Sequence, residues 1–250
     1  MNVRAPILLA GLCLALSCDA ATGGREVRYD LAATSAAVST FHTAAGWDVT
    51  LSEACVSLGP IYVFSGEPTA RSTLYDWLVP SAHAHPGVDH FAGGEARGEW
   101  LATVAVDALA SAPVHVGRLS GPAGPARTLS LYLSPPRPET AGPAGCLRGH
   151  QAYVVGIAQR DGVTVAFEGG LDIEEAGNRR RIQVPVSFEV DDGATLAVLV
   201  DPRPWLDEVR FDDLTVTEPG GRATIAAESQ ARVAWFLGVQ RASAFSARIH

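Results

Sequence analysis

Ile182-Gln-Val-Pro-Val-Ser-Phe-Glu-Val190 carries an apolar residue at every second position, and Asp191-Asp192-Gly193 separates it from a second apolar run, Leu196 to Val200. Side chains of an extended chain alternate between two faces, so this period of two describes a strand with one buried face, and the Asp-Asp-Gly reads as a hairpin turn. Pro185 interrupts the run. Lacking an amide hydrogen, it predicts an edge strand or a bulge at that point.

The same signal recurs on either side. Val27, Tyr29 and Leu31 alternate, as do Leu129, Leu131 and Leu133. Trp47, Val49 and Leu51 alternate too, but the apolar phase then slips to Ala54, Val56 and Leu58, as an inserted bulge residue would produce. Tyr153 to Ala158 and Val163 to Phe167 flank Arg160-Asp161-Gly162, a hairpin signal. Ser134 to Gly145 holds four Pro and two Gly in twelve residues and predicts a surface loop. Helical patterns are few. Ser72 to Val79 suits a short helix, Glu95 to Leu109 a helix running into a strand, and Glu228 to Arg241 a helix with Ala231, Ala234, Trp235 and Gly238 on one face. Many short strands separated by Gly, Pro and Asp turns predict an antiparallel two-sheet sandwich.

Composition narrows function. In 250 residues, 47% apolar and 18% charged, all 19 basic residues are arginine and the formal charge is -8. Without lysine there is neither a Schiff-base lysine nor a Walker-type phosphate loop, and the acidic balance argues against binding to a nucleic-acid duplex. There is also no G-x-S-x-G elbow, no H-E-x-x-H and no Cys beside a His. Carboxylates pair at Asp191-Asp192, Asp207-Glu208 and Asp212-Asp213, where solvated turns account for them, and Arg179-Arg180-Arg181 reads as an exposed turn and strand entry. The expectation is a protein that is not an enzyme.

The first residues supply an address. Arg4 precedes the apolar run Ala5 to Leu16, and Leu14-Ala-Leu-Ser-Cys18 resembles the bacterial lipobox, which implies acylation of Cys18 and removal of residues 1–17. The other reading is an ordinary secretory signal cleaved near Ala20 or Ala21. Two or more acyl chains anchor a protein stably, each buried CH₂ contributing about 0.8 kcal/mol. Of four cysteines, Cys13 leaves with the signal and Cys18 takes the lipid. Cys55 and Cys146 remain, and in an oxidising compartment they most simply form one disulfide; a thiolate metal site is the alternative.

One segment concentrates chemistry. Pro80-Ser-Ala-His83-Ala-His85-Pro-Gly-Val-Asp-His90 holds three of the seven histidines. In extended backbone His83 and His85 point the same way, and the Pro86-Gly87 bend can return His90 as a third ligand, with Asp89 or Glu95 close enough in sequence to complete a shell. Neutral imidazole suits copper, zinc and nickel. An exposed polar loop with incidental histidines is the competing reading. His42, His115 and His250 stand alone, and His150, four residues after Cys146, can approach the disulfide without acting as a ligand.

The stretch Trp47 to Tyr62, the Ala82-His-Ala-His-Pro-Gly87 string and the strand ending Val200-Asp-Pro-Arg-Pro-Trp205 resemble a group of bacterial exported lipoproteins. They are more distantly similar to the periplasmic copper-binding β-sandwich proteins of the methanobactin-associated MbnP type, over most of residues 40–215. The resemblance implies a copper site built on histidines. That family's site also uses an oxidised tryptophan close in sequence to a histidine, and here Trp77 lies six residues before His83, so that ligand does not carry over. The His-Ala-His-Pro string also resembles the mature start of CopC-type copper carriers, but it is internal here and the resemblance covers the imidazoles alone.

These readings predict an all-β chain, an antiparallel two-sheet sandwich with a few short helices. It is divided into a lipoprotein-type signal peptide (1–17), a tether (18–24) and a single domain (25–250). The expected function is metal storage, delivery or sensing on the periplasmic side of the bacterial envelope, with copper favoured over zinc and His83, His85 and His90 as ligands. The expected partners are the membrane, through the lipid on Cys18, and a redox or transport protein; nucleic acid is not among them. The alternative is a non-enzymatic envelope lipoprotein that binds a protein or glycan, its histidines incidental. A hydrolase with an unrecognised carboxylate site stands third.

Overall fold

A computed structural model describes residues 25–68, 94–173, 181–214, 216 and 220–250. Along the chain the strands are β1 (Glu26–Ser35), β2 (Thr40–His42), β3 (Asp48–Phe64), β4 (Ala96–Trp100), β5 (Val104–Asp107), β6 (Val114–Pro122), β7 (Gly124–Leu133), β8 (Ala152–Arg160), β9 (Val163–Leu171), β10 (Arg181–Val190), β11 (Thr195–Val200), β12 (Ala223–Thr224) and β13 (Phe245–Ile249). Helix α1 spans Arg203–Leu206 and α2 spans Gln230–Val239. One sheet has the order β13-β11-β1-β6 and the other β10-β7-β3-β8-β9-β12, with β2, β4 and β5 also on β3. The result is an all-β sandwich. One hydrophobic cluster joins the inner faces of both sheets to α2.

The long strand β3 organises the larger sheet. Its register puts β8 and then β7 along one edge, and β2, β5 and β4 in turn along the other. Val49 and Leu51 face the core, and a register shift between Leu51 and Glu53 hands that face to Ala54, Val56 and Leu58. The bulge expected from the slipped phase is therefore present at Ser52. A second shift between Leu58 and Ile61 returns the inward face to Ile61 and Val63. Gly59 occupies this second slip with φ +139°, where a Cβ would lie 2.0 Å from the Ala102 carbonyl oxygen, so only glycine fits. Each one-residue insertion exchanges the two faces of a strand. Between the slips Cys55 points outward, and beyond the second so do Tyr62 and Phe64.

Other expectations meet the structure in detail. The β8–β9 turn has Asp161 at φ 50° and Gly162 at φ 80°, the left-handed pair that a two-residue hairpin turn needs. Strand β10 lies at the end of the order of its sheet, and its register shifts between Pro185 and Phe188, so Pro185 sits on an edge and beside a bulge. In α2 the residues Ala231, Ala234, Trp235 and Gly238 are buried, and the Ser229 hydroxyl caps the helix by accepting from the Arg232 amide at 3.0 Å.

Three expectations are corrected. Glu95 to Leu109 contains no helix; it forms β4 and β5, because both pair along β3 and that pairing outweighs the helix preference of its Ala and Glu residues. Asp191-Asp192-Gly193 is not a hairpin turn, since β10 and β11 belong to different sheets and the segment crosses between them. The pairing is not wholly antiparallel: β11 runs parallel to β1, and β12 parallel to β9. The helix expected over Ser72 to Val79 lies outside the described residues.

The sheets meet near the β1–β6 edge through a buried phenol. Tyr29 is 1% exposed and donates to the Arg97 carbonyl at 3.2 Å, and burial pushes its ionisation well above the ordinary tyrosine range. Gly98 leaves room for it, because a Cβ there would lie 2.1 Å from the phenol oxygen.

Candidate functional site

His83, His85, His90 and Asp89 lie outside the described residues, as does Cys18. The strands on either side of the histidine segment are described. β3 and β4 pair antiparallel from Ile61–Trp100 to Phe64–Ala96. Beyond that ladder the Ser65 amide donates to the Glu95 carbonyl at 2.9 Å, and the Glu95 amide donates to the Ser65 hydroxyl at 3.0 Å. The chain thus leaves for the histidine segment and returns from it at one point on the sheet. Glu95, the carboxylate considered for a metal shell, sits 3.1 Å from Nη1 of Arg97. That guanidinium also donates to the Ala123 carbonyl at 3.0 Å.

Beside this stem, Tyr62, Phe64 and Tyr132 form a separate aromatic cluster on the outer face of the larger sheet, each less than a tenth exposed. The Tyr62 ring stacks on Phe64 at 6.0 Å and meets Tyr132 edge-on at 6.1 Å. Burial first, then the neighbouring Tyr132 and Glu99, raise the Tyr62 ionisation above the ordinary value. Such a phenol stays neutral at physiological pH, so it offers a hydrogen bond and an aromatic wall rather than a phenolate ligand.

On the other half of β3, Cys55 and Cys146 are joined in the disulfide expected from the cysteine count, their Cα atoms 6.1 Å apart. Cys146 lies in a single 3₁₀ turn, Ala144–Leu147. The residues after it reach back onto the sheet. Arg148, in the left-handed conformation, places Nη2 at 2.7 and 2.9 Å from the two carboxylate oxygens of Glu53 and its guanidinium 4.6 Å over the Tyr153 ring. His150 stacks on Tyr153 at 6.0 Å and sets Nδ1 2.7 Å from the Asp172 carboxylate. Desolvation, followed by the Glu168 carboxylate, raises the Tyr153 phenol. His150 is thus held by an aromatic ring and a carboxylate near the disulfide. Glu53, Arg148, Tyr153 and Asp172 gave no separate signal in the sequence; the bulge at Ser52 and the Arg148-Gly149 pair mark only where the backbone turns.

Several of the remaining candidates have structural partners. Asp207 accepts from the Ala44 amide at 2.8 Å and pairs with Arg241, which also reaches Glu208. Asp212 pairs with Arg160, and Asp192 accepts from the Arg28 amide. Of the arginine triplet only Arg181 is described, and its Nε donates to Ser130 at 2.9 Å. His42 faces Asp48 at 3.0 Å. Among the described residues no group of three His, Cys, Asp or Glu side chains could hold a metal ion, so the metal reading rests on His83, His85 and His90.

No protein-family model matches the chain, and no curated protein matches it. Among solved structures, MbnP from Methylosinus trichosporium is distantly similar: 10% identity, 90% of this chain and 98% of that chain covered, TM-score 0.44. At that distance no residue role is transferred.

Proposed function

We propose that this chain is an exported, lipid-anchored β-sandwich protein that binds a transition metal, copper in preference to zinc, for storage, delivery or sensing. His83, His85 and His90 are its ligands. The observation that carries the reading is the placement of a segment with three histidines in eight residues between two paired strands whose ends are hydrogen-bonded at Ser65 and Glu95. Those paired ends fix where the two flanks of the segment, Ser65 and Glu95, sit on the sheet. The Cys55–Cys146 disulfide supports an oxidising, extracytoplasmic compartment.

Metal titration of the mature protein by calorimetry tests it. The expected result is stoichiometric binding of copper or zinc that weakens as pH falls through the histidine range near about 6.5, since imidazole must lose its proton to ligate. Replacing His83→Ala and His85→Ala together is expected to abolish binding while the far-UV spectrum stays that of a β protein. No binding tighter than millimolar for copper, zinc or nickel would sink the metal reading and leave the partner-binding one.

Anchoring has its own test. The full-length protein is expected to partition into detergent and a Cys18→Ala form to be released or left unprocessed. Unchanged partitioning of the variant would remove the lipid from the proposal.

A further inference from the structure

The described chain begins, and the histidine segment is entered and left, at one end of the sandwich. The carbonyl of Arg25, the first described residue, accepts from the Ala123 amide at 2.8 Å, and Glu26 pairs with Pro122. The Ala123 carbonyl in turn accepts from Nη1 of Arg97 at 3.0 Å, and the same nitrogen lies 3.1 Å from Glu95. Glu95 and Ser65 bond to each other beyond the β3–β4 ladder. An unbroken series of contacts therefore joins the start of β1 to the two flanks of the histidine segment. Strands β4 and β6 approach closely here, since a Cβ on Gly121 would lie 2.3 Å from the Arg97 carbonyl oxygen. The crossover from β10 to β11 closes the same end: Asp191 pairs with Arg25, and Asp192 accepts from the Arg28 amide.

The opposite end carries the start of β3, where Asp48 stands across from Gln159, beside the Asp161-Gly162 turn. Strand β3 runs between the two ends in 17 residues, which at about 3.3 Å per residue sets them about 50 Å apart. The tether Cys18 to Gly24 has only seven residues; fully extended, it spans about 25 Å. The chain is acidic, with a formal charge of -8, so an anionic lipid surface repels the body of the domain and does not draw it flat. We propose that the end built from Arg25, Ala123, Glu95 and the Asp191-Asp192 crossover faces a phospholipid bilayer, held there by the short tether, with the Asp161 end pointing away. The inference rests on the lipid anchor at Cys18 and is independent of the metal. Its consequence is that the segment carrying His83, His85 and His90 leaves and rejoins the sheet on the membrane side of the protein.

Energy transfer in the acylated full-length protein tests it, with the protein reconstituted on vesicles of phosphatidylethanolamine and phosphatidylglycerol that carry an acceptor dye on a lipid headgroup. With Cys18 acylated and Cys55 bonded to Cys146, a cysteine introduced at an exposed position is the thiol that takes the donor dye. Glu189→Cys places the donor on β10 opposite Pro125, near the proposed face, and Asp161→Cys places it at the far end; both native residues are exposed. Across a separation of about 50 Å, transfer is expected to be about twofold or more higher from position 189 than from position 161. Inserting about 20 Gly and Ser residues after Ala21 adds a root-mean-square reach of about 25 Å and is expected to shrink that difference. Equal transfer from the two positions, or more from 161, in protein that floats with the vesicles would overturn the inference and leave the anchor standing. A difference untouched by the longer tether would also overturn it, because another contact would then be orienting the domain. Protein that does not float with the vesicles removes the anchor and the inference together.

Discussion

Replacing both Cys55→Ala and Cys146→Ala is expected to lower the unfolding free energy by on the order of 4 kcal/mol while leaving the native spectrum nearly unchanged. The bridged residues are 91 apart, so the link removes a large share of the conformations open to the unfolded chain. The native arrangement has other supports. Leu147 is buried with Cys55 and Ala105, Arg148 grips Glu53, and Ala141 bonds both Thr103 and Ala105 through its backbone. The loss therefore falls mainly on the unfolded side of the equilibrium. Against a usual total of about 5–15 kcal/mol it is large enough to shift the urea midpoint plainly. A change below about 1 kcal/mol would mean that those side-chain contacts, not the covalent link, hold residues 134–151 to the sheet.

Phe167→Ala is expected to cost about 3–5 kcal/mol, the range for deleting a fully buried aromatic ring. Phe167 is 0% exposed, and its ring lies 4.7 Å from Phe211, which in turn meets Trp47 edge-on at 5.6 Å. On its other side it packs over Gly156, where a Cβ would come within 2.8 Å of Cζ. The cavity left by alanine opens beneath β8 and β9. Phe167→Leu refills most of that volume and is expected to cost much less, as denaturant titration of the two variants would show. Equal losses, or a loss under about 1 kcal/mol for the alanine form, would contradict this account of the core.

The local pattern was legible where one face of a strand or helix is buried. The alternation of Val27, Tyr29 and Leu31, the phase slip after Leu51, the Asp161-Gly162 turn, the edge position of Pro185 and the buried face of α2 all follow from side-chain period and backbone geometry over a few residues. The disulfide was legible too, because setting aside Cys13 and Cys18 leaves two thiols. The histidine segment is conspicuous in sequence for the same local reason.

Which strand pairs with which is a different kind of information. Asp191-Asp192-Gly193 has the composition of a hairpin turn, yet it carries the chain from one sheet to the other, and β11 then settles parallel to β1 at Asp30–Thr195. The same turn residues serve either path, so the choice lies in the hydrophobic surface that closing the sandwich buries. The second slip of β3, at Gly59, needed the Ala102 carbonyl to give it meaning. The cluster of Glu53, Arg148, His150, Tyr153 and Asp172 joins segments remote in sequence, each unremarkable alone. Sequence by itself determined the strands β1, β3 and β7 to β11, the bulge at Ser52, the disulfide and the candidate ligands, since a residue's preference and period are properties of its neighbours along the chain. Only the tertiary structure decided the sheet order, the crossover and the cluster around His150, since these depend on which distant apolar faces exclude water together.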